Sequence, residues 1–128
     1  MDHSNMARPR VDIELDQSGA LATLRFSGPI RGDDLHRAQR GLHDRLGGRT
    51  LSGLLIDARQ SQPDYTPGQL ADALEACLES ASPHRLAFVS GEMREDTVSL
   101  IETAAVPYAV RVRGFLDLDE GERWVAGR

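Results

Sequence analysis

Residues 51–70 read LSGLLIDARQSQPDYTPGQL and hold both kinds of element from which the predicted fold is built. The first part, LSGLLIDA (51–58), is apolar at consecutive positions, which is typical of a strand buried on both faces in a parallel sheet. Further on, Thr66 precedes a proline and stands three residues before Gln69, a pattern that begins helices. The stretch therefore predicts a strand, a connecting loop over residues 59–66 and a helix, which is the repeating unit of an α/β protein.

The flanking sequence extends this pattern in both directions. Alternation in VDIELDQ (11–17) and LATLRFSG (21–28) predicts a leading β-hairpin, which Gly28-Pro29 is expected to close. The other predicted elements are a helix over 35–46, the helix that follows Thr66, a strand in HRLAFVSG (84–91), a helix in EDTVSLIETAA (95–105), an edge strand in AVRVRGF (109–115), and a helix in DLDEGERWV (117–125) with Asp117 and Glu120 as a capping box. The order β-β-α-β-α-β-α-β-α predicts a single α/β domain over residues 11–126, with a mostly parallel five-stranded sheet, preceded by a flexible N-terminus of residues 1–10.

Composition narrows the function classes. The chain has 128 residues, a net charge of −5 and a pI near 5.3, which argues against nucleic acid as a partner. The apolar runs are too short for an integral membrane segment, and a cytoplasmic location is expected. All fifteen basic residues are arginine, so a phosphate-binding or Schiff-base lysine is excluded.

No residue pattern points to a metal, a cofactor or a catalytic centre. His36 and His43 lie on one face of a predicted helix, but seven residues separate them by about 10 Å, which is too far for one metal ion. Cys77 falls on the apolar stripe of the next helix, so it is predicted to be a core residue rather than a reactive thiol. The chain is therefore predicted not to be an enzyme.

Three segments resemble the SpoIIAA-like group of domains, also described as STAS or STAS/SEC14-like. They are the hairpin VDIELDQSGALATLRFSGPI (11–30), the strand LLIDARQ (54–60) and the tail VRVRGFLDLDEGERWV (110–125). The resemblance implies the fold of the anti-sigma-factor antagonists and a regulatory or scaffolding role that works by binding another protein. The likeness to SEC14-type domains leaves a small-ligand or lipid-binding domain open as the alternative. A homodimer is also left open.

The resemblance also bears on Thr66. In STAS domains with a phosphorylation switch, a strand ends in Asp, and the next helix opens with Asp-Ser-Ser-Gly, in which a partner kinase phosphorylates a serine. Here Asp57 is expected to end the strand, and Asp64 opens the sequence Asp-Tyr-Thr-Pro-Gly. The resemblance makes Thr66 the candidate phospho-acceptor, although Tyr65 replaces one serine and Pro67 separates the threonine from the glycine. The residues themselves predict that Thr66 is a helix cap.

Ligands of open α/β sheets favour the carboxyl ends of the parallel strands. The residues expected at that edge form a candidate partner-binding or anion-binding surface, and they are Arg31, Arg59, Ser61, Asp64, Tyr65, Ser90 and Arg94. Their arginines are expected to be neutralised by the carboxylates of the same loops, which are Asp33, Asp34, Asp64, Glu92 and Glu95.

Overall fold

A computed structural model describes residues 8–127, which form a five-stranded sheet and four α-helices. The strands are β1 (Arg10–Leu15), β2 (Leu21–Arg31), β3 (Gly53–Asp64), β4 (Arg85–Val89) and β5 (Arg111–Phe115). The helices are α1 (Gly32–Leu46), α2 (Pro67–Ala81), α3 (Glu95–Ala105) and α4 (Leu118–Val125), and a 3-10 turn, Val106–Tyr108, follows α3. Of the N-terminus predicted to be flexible, residues 1–7 lie outside the described part, whereas Arg10 already belongs to β1.

The sheet has the strand order β1-β2-β3-β4-β5. The pair β1 and β2 is antiparallel, and the other three pairs are parallel, as the sequence pattern predicts. The parallel strands are joined through helices, because a parallel connection must cross from one end of the sheet to the other. The predicted α/β class and element order are confirmed.

The helices cover the two faces of the sheet unequally. On one face, α1, α2 and α3 bury the main core, in which Leu42, Leu78 and Ile101 are each at most 1% exposed. On the other face, α4 packs Val125 onto a smaller cluster that includes Leu55 and carries the half-buried Trp124 at its side. The consecutive apolar positions of β3 thus face two separate cores, which explains why this strand lacks an alternating pattern.

Two predicted boundaries are wrong, because β2 and β3 both continue past the residues expected to end them. The predicted break at Gly28-Pro29 and the predicted loop at 59–66 form instead a parallel ribbon in which residues 27–31 pair with residues 60–64. The neighbouring strands stop earlier, since Ser27 is the last β2 residue paired with β1 and Asp57 is the last β3 residue paired with β4. Proline is tolerated in a strand that has a neighbour on only one side, where its missing N–H can face away from that neighbour. We call residues 27–31 and 60–64 the β2–β3 extension.

The N-terminus of α4 differs in detail from the prediction. Asp117 is the N-cap, as predicted, and its carboxylate accepts a hydrogen bond of 3.0 Å from the N–H of Asp119. Within residues 8–127 the reciprocal bond predicted for Glu120 is not formed, so this helix begins with a simple cap rather than a capping box.

Candidate functional site

The start of α2 is built by the residues that the sequence singles out. Thr66 is the N-cap, and its hydroxyl accepts a hydrogen bond of 3.1 Å from the N–H of Gln69. The side-chain oxygen of Gln69 accepts one of 2.9 Å from the N–H of Thr66, which completes the capping box. Pro67 occupies the first helical turn, where its missing N–H leaves no gap in the helix. The predicted helix start is confirmed, and Thr66 itself lies exposed.

The β2–β3 extension leads into this helix start. Arg31 and Asp64 are register partners at its tip, and their side chains form a solvent-exposed ion pair of 3.8 Å. Ser61 lies three residues before Asp64 on β3 and is half-buried, and its hydroxyl donates to the carbonyl of Ala58 at 2.9 Å. Ser61 is therefore engaged with its own strand, while Arg31 and Asp64 present a balanced pair of charges to solvent.

Tyr65 joins the extension to α2 and packs half-buried against the main core. Burial raises the pKa of its phenol, and the positive charge of Arg94 partly opposes that shift. Arg94 itself pairs with Glu92 at 3.7 Å. We call the set formed by the exposed Arg31 and Asp64 and the half-buried Tyr65 and Arg94 the strand-end surface.

Ser90 and Asp34 lie beneath this edge of the sheet rather than on it. Ser90 is 4% exposed, and its hydroxyl donates to the carbonyl of Glu92 at 2.5 Å. Asp34 is 3% exposed and accepts from the N–H of Arg31 at 2.8 Å and from the guanidinium of Arg37. Both residues hold the edge together, so neither is counted in the strand-end surface.

Arg59 turns away from the strand-end surface toward the other face of the sheet. One extra residue of β3 lies opposite β2 between Asp57 and Gln60, a bulge that is rare in parallel pairs. Arg59 lies in this bulge, and its own N–H bonds to the carboxylate of Asp57 at 3.2 Å. Its side chain binds the same carboxylate in a two-pronged arrangement, at 2.9 and 3.0 Å.

Asp57 is the centre of a polar network that the sequence analysis did not anticipate. It is 1% exposed and also accepts a hydrogen bond of 3.1 Å from Arg25, which in turn binds Glu14 at 2.6 Å. Burial alone would raise the pKa of Asp57, but the hydrogen bonds from Arg59 and Arg25 outweigh burial and hold that pKa below its ordinary value of 3.8. The sequence does contain a signal for this network. Asp57 lies within a strand that is apolar on both faces, and a buried carboxylate needs a cationic partner.

The three arginines of the candidate surface are each paired with a carboxylate. Arg31, Arg59 and Arg94 each have a carboxylate within 4.0 Å, contributed by Asp64, Asp57 and Glu92 respectively. Asp64 and Glu92 are among the carboxylates expected to pair with these arginines, whereas Asp57 is not. A surface of locally paired charges has little attraction for a free anion, since each guanidinium already has its counter-charge.

A small apolar cavity of about 50 Å³ lies between the sheet and helices α1, α2 and α3. Its lining includes Ser61, Tyr65 and Cys77. Burial raises the pKa of the Cys77 thiol to about 12, so the thiolate is not formed near neutral pH. The smallest common ligand pockets have a volume of about 300 Å³, several times larger than this cavity.

The comparisons with known proteins show the fold. No protein-family model and no curated protein sequence matches the chain. Among solved structures, it is similar to an uncharacterised protein from the DUF3478 family with a SpoIIAA-like fold, from Shewanella loihica PV-4. The TM-score is 0.66 at 18% sequence identity, over 98% of this chain and 99% of that one. The chain therefore has a SpoIIAA-like fold, as the resemblance implied.

The structure also bears on membrane insertion. Within residues 8–127, none of the helices combines the length and the apolar character needed to span a bilayer.

Proposed function

We propose that this chain is a non-enzymatic regulatory or scaffolding module that binds another protein through the strand-end surface, with the cytoplasm as its expected compartment. The observation that carries the proposal is the construction of that surface from rigid elements. Arg31 and Asp64 lie on paired strands, and Tyr65 packs against the main core within electrostatic reach of Arg94. A half-buried aromatic ring surrounded by polar and charged groups is a common centre of protein–protein contacts.

The size of the apolar cavity between the sheet and the helices argues against the lipid alternative. At about 50 Å³ it is several times smaller than a pocket for a drug-sized molecule, and a lipid chain needs still more room. The SpoIIAA-like fold of the neighbouring structure supports this direction, although that protein is itself uncharacterised. A protein partner that contacts the rigid, charge-balanced strand-end surface agrees better with a cavity of this size.

Phosphorylation of Thr66 stays a prediction about how this binding is regulated. Thr66 is exposed and lies at the N-terminus of a 15-residue helix, where added negative charge is electrostatically favourable. Its hydroxyl also has a structural duty as the cap of α2. We therefore expect Thr66 to act chiefly as a cap and to lie next to the partner rather than to anchor it.

The test is quantitative capture of a partner by the tagged chain, followed by charge reversal on the strand-end surface. Asp64→Arg and Arg94→Glu are each expected to lower the affinity for a stoichiometric partner at least about tenfold. The melting temperature of both variants should stay near that of the wild type. Arg40→Glu, an exposed change on α1, is the matched control and should bind normally. Native mass spectrometry of the purified chain would contradict the proposal if it found a specific small-molecule or lipid adduct and no protein complex.

A further inference from the structure

The outer edge of β5 offers unpaired backbone groups. The N–H of Arg111 donates to His84, and the carbonyl of Phe115 accepts from Ser90, so the peptide groups of these odd-numbered positions point toward β4. Peptide groups alternate along a strand, and those of Val112 and Gly114 therefore point away from the sheet. Among residues 8–127, no other strand pairs with β5 and no hydrogen bond from a loop, cap or side chain reaches these groups.

The same edge carries positive charge without a counter-charge. Arg111 and Arg113 are exposed on the face covered by α4, and neither has a carboxylate within 4.0 Å in the described part of the chain. Arg85 is the register partner of Arg111 on β4, and like charges directly opposite each other destabilise a sheet. Arg85 is engaged locally, since it lies over the Trp124 ring and donates to the Trp124 carbonyl at 2.7 Å.

This contrasts with the arginines of β1 and β2. On β1 and β2, the arginines at 10, 25 and 31 all have acidic partners. In a chain of net charge −5, a strand that keeps two exposed arginines unpaired can attract carboxylates from outside the chain.

Exposed apolar side chains flank β5. Val106 lies in the 3-10 turn before the strand and is 74% exposed, and Leu116 follows the strand and is 53% exposed. They are two of the three large hydrophobic residues exposed within residues 8–127. Apolar contacts at both ends of an edge strand supply burial that a short pair of strands cannot obtain from hydrogen bonds alone.

We propose that the β5 edge receives an extended acidic segment of a partner protein as a sixth strand. The segment pairs its backbone with Val112 and Gly114 and places carboxylates at alternate positions beside Arg111 and Arg113. Its intervening side chains are apolar and lie on the opposite face, where Val112 packs against the main core. This surface is separate from the strand-end surface, so the proposal does not depend on the function proposed above.

The experiment uses the full-length chain and a synthetic peptide, acetyl-Thr-Val-Glu-Ile-Asp-Val-Thr-amide, as the probe. Binding is followed by NMR titration together with amide hydrogen exchange. We expect saturable binding, slowed exchange at the amides of Val112 and Gly114, and an affinity that falls with salt. Arg113→Glu should weaken binding at least about tenfold, whereas the equally exposed Arg40→Glu should leave it unchanged.

Two further arms make the result decisive. A peptide of the same composition with adjacent rather than alternate carboxylates should bind several-fold more weakly, and a lysine-substituted peptide should bind an Arg111→Glu/Arg113→Glu chain but not the wild type. Absent binding, binding without protection of Val112 and Gly114, or equal binding to both acidic peptides would overturn the proposal.

The β1 strand of a second copy also alternates apolar and acidic residues, so sedimentation of the wild type is compared with that of the double variant. Self-association lost in the double variant would overturn the proposal by making a second copy the occupant.

Discussion

Replacing Asp57 by asparagine tests whether the polar network on the second face of the sheet stabilises the fold. The change keeps the shape of the side chain and removes its charge. In the wild type, this carboxylate is 1% exposed and accepts four hydrogen bonds from two arginines. In Asp57→Asn, the side-chain amide places a donor against two guanidinium groups where an acceptor is needed. Arg59 loses its counter-charge, whereas Arg25 keeps Glu14 as its one acidic partner.

The magnitude follows from the burial of the three groups. Removing one partner of a fully buried ion pair costs about 3–5 kcal/mol. Here the side chains of Arg25 and Arg59 are 34% and 35% exposed, so hydration of the two guanidinium groups offsets part of that loss. We expect Asp57→Asn to lower the free energy of unfolding by about 2–3 kcal/mol at pH 7.

The assay is urea denaturation followed by circular dichroism, with Asp12→Asn as the matched control. Asp12 lies on β1 and pairs with Arg10, but their side chains are 42% and 72% exposed, so this change should cost at most about 0.5 kcal/mol. A loss of less than about 0.5 kcal/mol in Asp57→Asn would refute the reasoning, because the network would then contribute no more than an exposed ion pair.

The dependence on pH provides a second readout with a definite sign. The pKa of Asp57 is lower in the folded chain than its ordinary value of 3.8, so its charge stabilises the fold above that value. This contribution is lost as the pH falls through the depressed pKa of the folded state. The difference in stability between the wild type and Asp57→Asn should therefore stay constant from pH 7 to about 5 and narrow below about 4. A difference that widens in acid would contradict the assigned charge state.

Three other predictions concern single positions. Thr66→Ala should lower the free energy of unfolding by about 1 kcal/mol in urea titrations, while Thr66→Ser should be near neutral because it keeps the capping hydroxyl. Cys77 should resist iodoacetamide at pH 8 in the native chain and react fully in urea, since burial raises its pKa to about 12; rapid native labelling would show that the site is open. A Cβ at Gly53 would lie 2.6 Å from the Val125 carbonyl oxygen, so Gly53→Ala should displace the end of α4 and cost about 1–3 kcal/mol. Fluorescence of Trp124, the single tryptophan, should then shift to the red, and an unchanged spectrum would refute the tight contact.

The sequence predicts the architecture well where one local signal decides the structure. The apolar run Leu54-Leu55-Ile56 indicates a central strand, and it is one because helices cover both of its faces. The Thr66 cap is predictable because all of its partners lie within three residues. The ends of β2 and β3 are not, because Pro29 and Pro63 are breakers in general and are accommodated here only where a neighbouring strand stops.

The candidate site is predicted in part, for a related reason. The pairing of Arg94 follows from Glu92 two residues away, and that of Arg31 follows from the predicted parallel sheet, which brings the loop of Asp64 to the same edge. The Asp57 network joins residues 32 positions apart and depends on a bulge that turns Arg59 back onto the carboxylate. The burial of Ser90 depends on β5, whose Phe115 carbonyl accepts its N–H. Contacts of this kind are set by sheet register, which local patterns do not specify.

Site-specific photo-crosslinking in cells tests the proposed binding of another protein through the strand-end surface most directly. A photoreactive amino acid is placed at Arg31 or at Asp64, whose side chains are 76% and 67% exposed, and in a third chain at Arg40 on α1. The account predicts one discrete adduct of constant mass from the first two positions and none from the third. Equal, diffuse labelling from all three positions, or a discrete adduct from Arg40 alone, would contradict it.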